Sequence, residues 1–503
     1  MDYSDATHFD VAIVGYGPAG ATLAHLLAQC GLKVLVLERE TAAYHLPRAV
    51  HFDAEVMRVF QWIGIAEAIE PLTAMHPGMR FVDGNGKLLL DWPRPQGIGP
   101  QGWRANYRFH QPDLEKLLRD RLSGYQNVTV RTRADVFYIE DRGDHVEMRF
   151  EDMSRGKVEH VTAGYVVGCD GARSIVRRYI ETGMEDYGFH ERWLVVDVIL
   201  NQDKPELGDH SIQYCVPERP ATYVRGPGLR RRWELTVLDD EDSVAITRPE
   251  KVWEILAPWL KAEEAELERA AVYVFHSLVA EDWRKGRLFL AGDACHQTPP
   301  FMGQGMCAGT RDVANLYWKL ALVCQGKVGG AASERLLDSY ESERKPNARE
   351  YIKTAVRLGG LINTCGTKEA LEAALPAADG SARMESIAPP LGPGLGRGEK
   401  AGRLFGQPRL NDGRLMDEAM RHRFVVVAEA DLVEGLALPE SVCLVTTKTS
   451  PDAGEHLARL GTRAAVIRPD RHTLGAADSR AELEALLALV LPNPSETPHP
   501  EMV

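Results

Sequence analysis

Residues 11–40 read VAIVGYGPAGATLAHLLAQCGLKVLVLERE, and this stretch constrains the fold more tightly than any other. An apolar run, Val11 to Val14, ends in Gly15, Gly17 and Gly20, which have the spacing G-x-G-x-x-G. A helix-like apolar stretch follows, and then a second apolar run, Lys33 to Leu37, that closes on Glu38. Gly15 permits a sharp strand-to-helix turn. Gly17 lets a pyrophosphate approach the backbone, and Gly20 lets the helix pack against the strand. Pro18 suits the first helical turn, where its missing N–H costs nothing. That turn, which includes Ala19, offers N–H groups and a positive dipole end to phosphates. Glu38 stands at the distance expected of an acid that binds a ribose hydroxyl. The unit therefore reads as dinucleotide-binding. The motif alone does not separate FAD from NAD, or an enzyme from a nucleotide-free scaffold.

With 503 residues the chain has room for roughly two to four domains. Its net charge of −13 argues against nucleic acid or an anionic membrane as the main partner. An anionic cofactor must then be held by local N–H groups and arginines. The eight cysteines are scattered, with no C-x-x-C or zinc-ligand spacing. That suits reduced thiols in the cytoplasm and counts against a disulfide reductase. The start, MDYSDATHFD, is polar and acidic, unlike a signal peptide. No segment offers about 18 uninterrupted apolar residues, so no membrane span is expected.

Helical periodicity runs through Val56, Val59, Phe60 and Ile63, and again through 111–122, with Leu114, Leu117 and Leu118 on one face. Short alternating strands fill 127–168, and strand-like alternation rich in Trp, Tyr and Arg fills 190–275. A strand, RLFLAGD, then leads to a helix from Gly305 to about Cys324. The Pro/Gly-rich stretch 386–400 reads as a linker whose G-x-G-x-G is loop, since no strand precedes it. The expected units are 1–185 and 276–385 for the nucleotide, a β-rich substrate layer at 186–275, and a small α/β unit at 401–503.

Two further stretches bear on the cofactor. In YVVGCDGARSIVRR, a strand runs into Asp170-Gly171, with Arg173 nearby. In GRLFLAGDACHQTPPFMGQGMCAGTRDVANLYWKL, a buried strand delivers Asp293 at its carboxyl end, where α/β sheets place ligands. The N-terminus of the helix that follows suits the negative charge of a reduced flavin.

With these motifs the chain resembles the class A FAD-dependent aromatic hydroxylases, the flavoprotein monooxygenases that include para-hydroxybenzoate and phenol hydroxylases. The resemblance rests on GYGPAG with Glu38, CDGARSIVR and GDACHQTPPFMGQG, in that order. The stretches PRAVHFDAEVMRVFQ, RFHQPDLEKLL and AGRLFGQPRL look like the 3-(3-hydroxyphenyl)propionate hydroxylase subgroup. The resemblance implies an α/β fold. A Rossmann-like FAD-binding domain is interleaved with an antiparallel β-sheet substrate domain, and a thioredoxin-like C-terminal unit without C-x-x-C follows. It implies non-covalent FAD, NADH or NADPH as transient reductant, a small phenolic substrate and O2, and it allows a homodimer. The implied chemistry forms a flavin C4a-hydroperoxide that converts a phenol to a catechol, with 3-(3-hydroxyphenyl)propionate or a similar acid as substrate. Another phenol or an aromatic polyketide is the alternative substrate, and a non-enzymatic escort protein the alternative class. A flavin halogenase is disfavoured, since W-x-W-x-I-P is absent.

Carried over by position, Glu38 with Arg39 belongs to the adenosine end, and Arg48 and Gln111 to the diphosphate and ribityl region. Asp293 would hold the ribityl chain. Gly303, Gly305, Met306 and Cys307 form the loop and helix start beside the flavin, where Met306 and Cys307 offer backbone N–H groups. Asp170, Gly171 and Arg173 would serve both FAD and the nicotinamide cofactor. The Pro300 carbonyl would face the substrate hydroxyl or the reactive oxygen. Met302 and Cys307 depart from the glycine and asparagine common in the family. His51 and Tyr223 are the catalytic candidates for deprotonating a phenol, whose pKa is about 10. For Asp53 a helix-start role is the better reading, for His296 a bond to its own turn, and for Cys295 a core position. Arginines 230–232 read as a solvated basic turn.

Overall fold

The structure, a computed structural model, describes residues 7–43, 46–364 and 387–490. The first strand, Thr7–Val14, is buried from Val11 to Val14 and pairs in parallel with Val34–Glu38 on one side and Lys157–Gly168 on the other. Runs buried on both faces are what a parallel sheet requires. Val128–Thr132 extends this sheet beyond Val34–Glu38, and Leu288–Leu290 extends it beyond Lys157–Gly168. Asp170 and Asp293 therefore leave the carboxyl ends of neighbouring strands.

A second eight-stranded sheet is built around the long antiparallel pair Met184–Leu200 and Ala265–Ala280. It continues through Arg230–Thr236, Ala221–Arg225 and Ser211–Tyr214. It also recruits Gly78–Val82 and Leu88–Pro93, a hairpin from within the expected nucleotide unit. Asp83 sets that hairpin's turn by accepting from the N–H groups of Asn85 and Lys87. A small third sheet, His51–Asp53, Asn106–Arg108 and Ala74–Met75, bridges the two layers.

Helix Gly305–Cys324 is buried along most of its length and packs on helix Pro18–Gln29 and on the long helix Gly330–Thr364. The glycines after residue 386 answer close packing: a Cβ on Gly392 would stand 2.4 Å from the Ser342 carbonyl, and one on Gly394 would stand 2.3 Å from Glu343 Cγ. They seat an irregular segment on the long helix.

The last unit holds a four-stranded sheet ordered Val442–Thr446, Phe424–Ala428, Ala464–Ile467 and Thr473–Ala477. The first pair is parallel and the others are antiparallel. Buried charges dock the unit onto the body. Asp417 accepts from Arg58 Nε at 2.5 Å and from Trp62 Nε1 at 2.6 Å, and it pairs with Arg471 at 3.0 Å. Glu343 pairs with Lys319 at 2.7 Å and with Arg468 at 2.8 Å. Among the described residues no helix is long and apolar enough to cross a membrane.

Candidate active site

The glycine motif divides its tasks sharply. Gly15 has φ +104°, and a Cβ there would lie 2.3 Å from the Cys169 carbonyl. A Cβ on Gly20 would lie 2.2 Å from the Gly15 carbonyl, which is the close helix–strand contact expected of the third glycine. Around Gly17 nothing stands within 4 Å, so its role is toward the cleft. Helix Pro18–Gln29 begins there with no side-chain cap, which leaves the N–H groups of Ala19 and Gly20 facing the same space. Glu38 turns its carboxylate to this turn, with Oε2 accepting from Tyr16 N at 2.8 Å and Oε1 from Glu40 N at 2.8 Å. Arg39 is exposed beside Glu40.

Asp293 lies on a turn built by its neighbours. Asp312, on the long buried helix, accepts from Gly292 N at 3.0 Å, pairs with His296 Nε2 at 2.7 Å and takes Arg344 Nε at 3.0 Å. His296 thus bonds the helix rather than its own turn. The Asp293 side chain is open to water and has no hydrogen-bond donor among the described residues, yet the enveloping protein raises its pKa. Such a carboxylate sits in a deep cleft and awaits donors. Helix Gly305–Cys324 also starts without a side-chain cap, and no atom lies within 4 Å of where a Gly305 Cβ would be. Uncapped N–H groups at Met306 and Cys307, the open approach at Gly17 and Gly305, and the unpartnered Asp293 suit an elongated dinucleotide with a ring at one end and phosphates in the middle. The residues fit FAD.

Other residues of the cradle act through the backbone. Gln111 Oε1 accepts from Arg48 N at 3.2 Å and Ala49 N at 2.7 Å, holding the loop that carries the exposed Arg48 side chain. Asp170 Oδ2 accepts from Ile175 N at 2.6 Å, so its carboxylate caps helix Ile175–Ile180 while Gly171, at φ +76°, makes the turn. Arg173 is exposed on that turn. Cys307 is buried and its thiol points back to the carbonyls of His51 and Gly303, where burial pushes its pKa up. Cys295 is likewise a fully buried core residue.

A cavity lies against the loop that carries Pro300 and Gly303, roofed by the second sheet. His51 lines it, with Nε2 2.8 Å from Asn106 Oδ1 and Nδ1 3.5 Å from the Gly303 carbonyl. Burial, reinforced by the charge of Arg94, lowers the pKa of His51. Met302 is also on the wall. Asp53 is a helix N-cap: Oδ1 accepts from Val56 N at 3.1 Å. Its other oxygen pairs with Arg311.

Tyr223 does not reach this cavity. Side chains alternate along a strand, and on Ala221–Arg225 it is Thr222 and Val224 that face inward. Tyr223 packs on the far side of the sheet, its ring 5.2 Å from that of Trp233. Nor do the three arginines form a solvated turn. Arg231 is 1% and Arg232 4% exposed, and Arg232 clamps the Pro47 and Arg48 carbonyls while pairing with Asp197.

Sequence reasoning passed over His76, Arg94, Arg108, Ser211 and Glu234, all on the cavity wall. For Arg108 a signal existed, since it opens the RFHQPDLEKLL stretch.

The FAD binding domain family matches residues 8–355. A probable NADH-specific resorcinol 4-hydroxylase of Rhodococcus jostii (strain RHA1) is 36% identical over 98% of this chain and 97% of its own length. A 3-(3-hydroxy-phenyl)propionate/3-hydroxycinnamic acid hydroxylase of Burkholderia cenocepacia (strain HI2424) is 36% identical over 72% of this chain and 65% of its own length. Among solved structures, the flavin-dependent monooxygenase PieE in complex with FAD and substrate superposes with a TM-score of 0.82 at 21% identity, over 96% of this chain and 98% of that one. At that identity the likeness speaks for the fold alone. Glycine turn, open carboxylate and uncapped helix starts, set beside full-length similarity to a phenol-hydroxylating enzyme, lead to one assignment: the chain belongs to the FAD-dependent aromatic hydroxylases, the flavoprotein monooxygenases.

Proposed function

We propose that this enzyme hydroxylates a small single-ring phenol bearing a second polar or ionised oxygen, with NADH as reductant. The observation that carries the reading is the cavity wall. His51, His76, Arg94, Arg108 and Glu234 put five ionisable side chains around one cavity. Such a lining suits a small polar ring better than a polycyclic apolar one. The names of the relatives agree, since one enzyme acts on resorcinol and the other on a phenolic acid. The preference for NADH rests on the full-length relative.

Bound FAD supplies the reduction of O2 to an oxygen donor that the side chains lack. The protein's share is positioning and proton handling. Gly17, Ala19, Gly20, Arg48 and the Gly305–Cys307 N–H groups hold the cofactor, Glu38 its ribose and Asp293 its polyol chain. The Asp170–Gly171 turn, with Arg173, faces the nicotinamide cofactor. His51, kept neutral by burial, accepts the phenolic proton and so raises electron density on the ring carbon to be hydroxylated. The Pro300 carbonyl orients the hydroxyl. The C-terminal unit is read as a thioredoxin-like appendage that braces the helix carrying Asp312 and that serves a homodimer. Cys443, alone in it, does no redox work. The setting is cytosolic.

Anaerobic flavin reduction by NADH and by NADPH, each with and without resorcinol or 3-(3-hydroxyphenyl)propionate, tests the reading. NADH reduction accelerated by one of these phenols is the expected result. Reduction that no phenol accelerates sinks the substrate class, and indifference to coenzyme sinks the preference for NADH.

A further inference from the structure

Arginines are buried in several places in this molecule, and nearly all of them follow one rule. Arg58 and Arg471 share Asp417, and Arg232 and Arg269 share Asp197. Arg231 has Asp203, Arg311 has Asp53 and Glu55, Arg344 has Asp312, and Arg468 has Glu343 and Asp470. Each guanidinium brings its counter-charge with it, as burial of a cation demands.

Arg108 breaks the rule. It is 1% exposed, and among the described residues no carboxylate stands within ion-pair distance of it. Its acceptors are all neutral: the Asp209 carbonyl takes Nη1 at 2.7 Å, and Ser211 Oγ and His76 Nδ1 take Nη2 at 2.9 and 3.2 Å. Its Nε has no partner. His76 Nδ1 also accepts from Gly78 N at 3.3 Å, so that ring is a neutral acceptor with its proton on Nε2. These three acceptors fix the fork in one orientation. Burial lowers the pKa of Arg108 to about 10, still far above neutrality, so the charge persists.

The fork lies on the cavity wall. Strand pairing puts Arg108 directly opposite His51, on the same face. Arg94, stacked 4.1 Å over the Trp92 ring, adds a second guanidinium to the wall. Glu234, the acid on that wall, is pulled toward Arg232 at 3.6 Å rather than toward Arg108.

We propose that Arg108 is a specificity-determining residue that binds an oxyanion of the aromatic substrate. The oxyanion is either the carboxylate of an acidic side chain or an ionised second hydroxyl. The proposal rests on the phenol-hydroxylase reading above and refines it. The missing counter-charge arrives with the substrate: Nε has no partner and Nη1 keeps a second N–H beyond the one given to the Asp209 carbonyl, and a charged oxygen accepts strongly from such donors.

The experiment uses FAD-loaded enzyme, wild type beside Arg108→Met and Arg108→Lys, with flavin absorbance reporting ligand binding. The probes are 3-(3-hydroxyphenyl)propionate, its uncharged analogue 3-propylphenol, and resorcinol. If the oxyanion is a carboxylate, Arg108→Met raises Kd for the propionate about a hundredfold and leaves 3-propylphenol within a few-fold. Arg108→Lys falls between, because it keeps the charge and loses the fork. If the oxyanion is a hydroxyl, ultraviolet titration shows resorcinol ionising at lower pH when bound to wild type than in solution, and Arg108→Met abolishes the difference. FAD content and thermal unfolding report on integrity, and Arg108→Lys carries the comparison should the methionine variant fail to hold FAD. Equal weakening of propionate and 3-propylphenol, with resorcinol titrating alike in both enzymes, overturns the assignment of Arg108 while the hydroxylase reading stands. A wild-type enzyme that turns over none of the three overturns both.

Discussion

His51 and Arg108 sit directly opposite one another in an antiparallel pair, so the candidate base and a buried guanidinium enter the cavity from the same face. Burial first, and then the neighbouring charge of Arg94, hold His51 below the ordinary histidine range. His51 is therefore neutral and able to accept a proton at neutral pH.

His51→Gln removes that acceptor without emptying the site. Hydroxylation should slow by about a hundredfold, within the range for general-base assistance, while flavin reduction by NADH persists. The pH profile carries the distinction. In wild type the acid limb of kcat lies below the usual histidine value, because the shift is downward. In His51→Gln the rate should climb toward the phenol's own pKa of about 10. A variant that keeps the wild-type profile removes His51 from the proton path.

Gly17 and Gly20 should respond in opposite ways to alanine. A Cβ on Gly20 meets the Gly15 carbonyl at 2.2 Å, and backbone cannot step aside cheaply. Gly20→Ala should lose several kcal/mol of stability, at or beyond the usual ~1–3 kcal/mol for overpacking. At Gly17 nothing stands within 4 Å, so Gly17→Ala should unfold like wild type and bind FAD at least tenfold more weakly, as judged by flavin fluorescence. Equal FAD affinity in Gly17→Ala and wild type would show that the cofactor does not approach that turn.

What was legible in the sequence followed local rules. Helices Gln111–Leu122 and Gly305–Cys324 and the buried strand Thr7–Val14 announce themselves through hydrophobic pattern within a few residues. Asp53 was legible as a helix start from its side chain, an N-capping acid ahead of a helical run. Facing was less so. Alternation separates Tyr223 from Thr222 and Val224, but only the sheet's packing decides which set meets the cavity. Arg231 and Arg232 look solvated in RRRWEL, and their partners Asp203 and Asp197 come from elsewhere in the chain. Arg108 needed both its register with His51 and the absence of an acid, neither of which neighbours it in sequence. The hairpin at 78–93 did carry a signal, DGNG between two apolar runs, that the reading by segments passed over.

Asp293 is open to water and has no hydrogen-bond donor among the described residues, and the protein around it raises its pKa. Removing a charge held there for a ligand should not harm the fold. Asp293→Asn should leave apoprotein unfolding within about 0.5 kcal/mol of wild type, the usual span for a change away from packing and paired charge. FAD affinity should fall about tenfold as the charged acceptor is lost. A destabilised apoprotein with unchanged FAD affinity would make Asp293 a structural residue instead.

His422 couples the C-terminal unit to the flavin-side helices, with Nδ1 3.1 Å from the Tyr317 hydroxyl and Nε2 2.9 Å from Gln29 Oε1. Burial, with Arg471 and Arg421 nearby, lowers its pKa from 6.5 to about 4. Between those values the unfolded chain holds a proton that the folded chain does not, so stability rises with pH through this window and falls on acidification. The stabilisation is complete above the unfolded pKa of 6.5 and is lost by about 3 kcal/mol as pH falls to 4. The other buried histidines titrate alike in wild type and in His422→Gln, so the difference between the two isolates this group. Urea unfolding at pH 7 and pH 4 should show the stability gap between them shifting by about 3 kcal/mol in favour of the variant at the lower pH. A gap that stays constant across that range would mean that His422 does not stay neutral in the folded protein, and that the contact between the units is not what sets acid sensitivity.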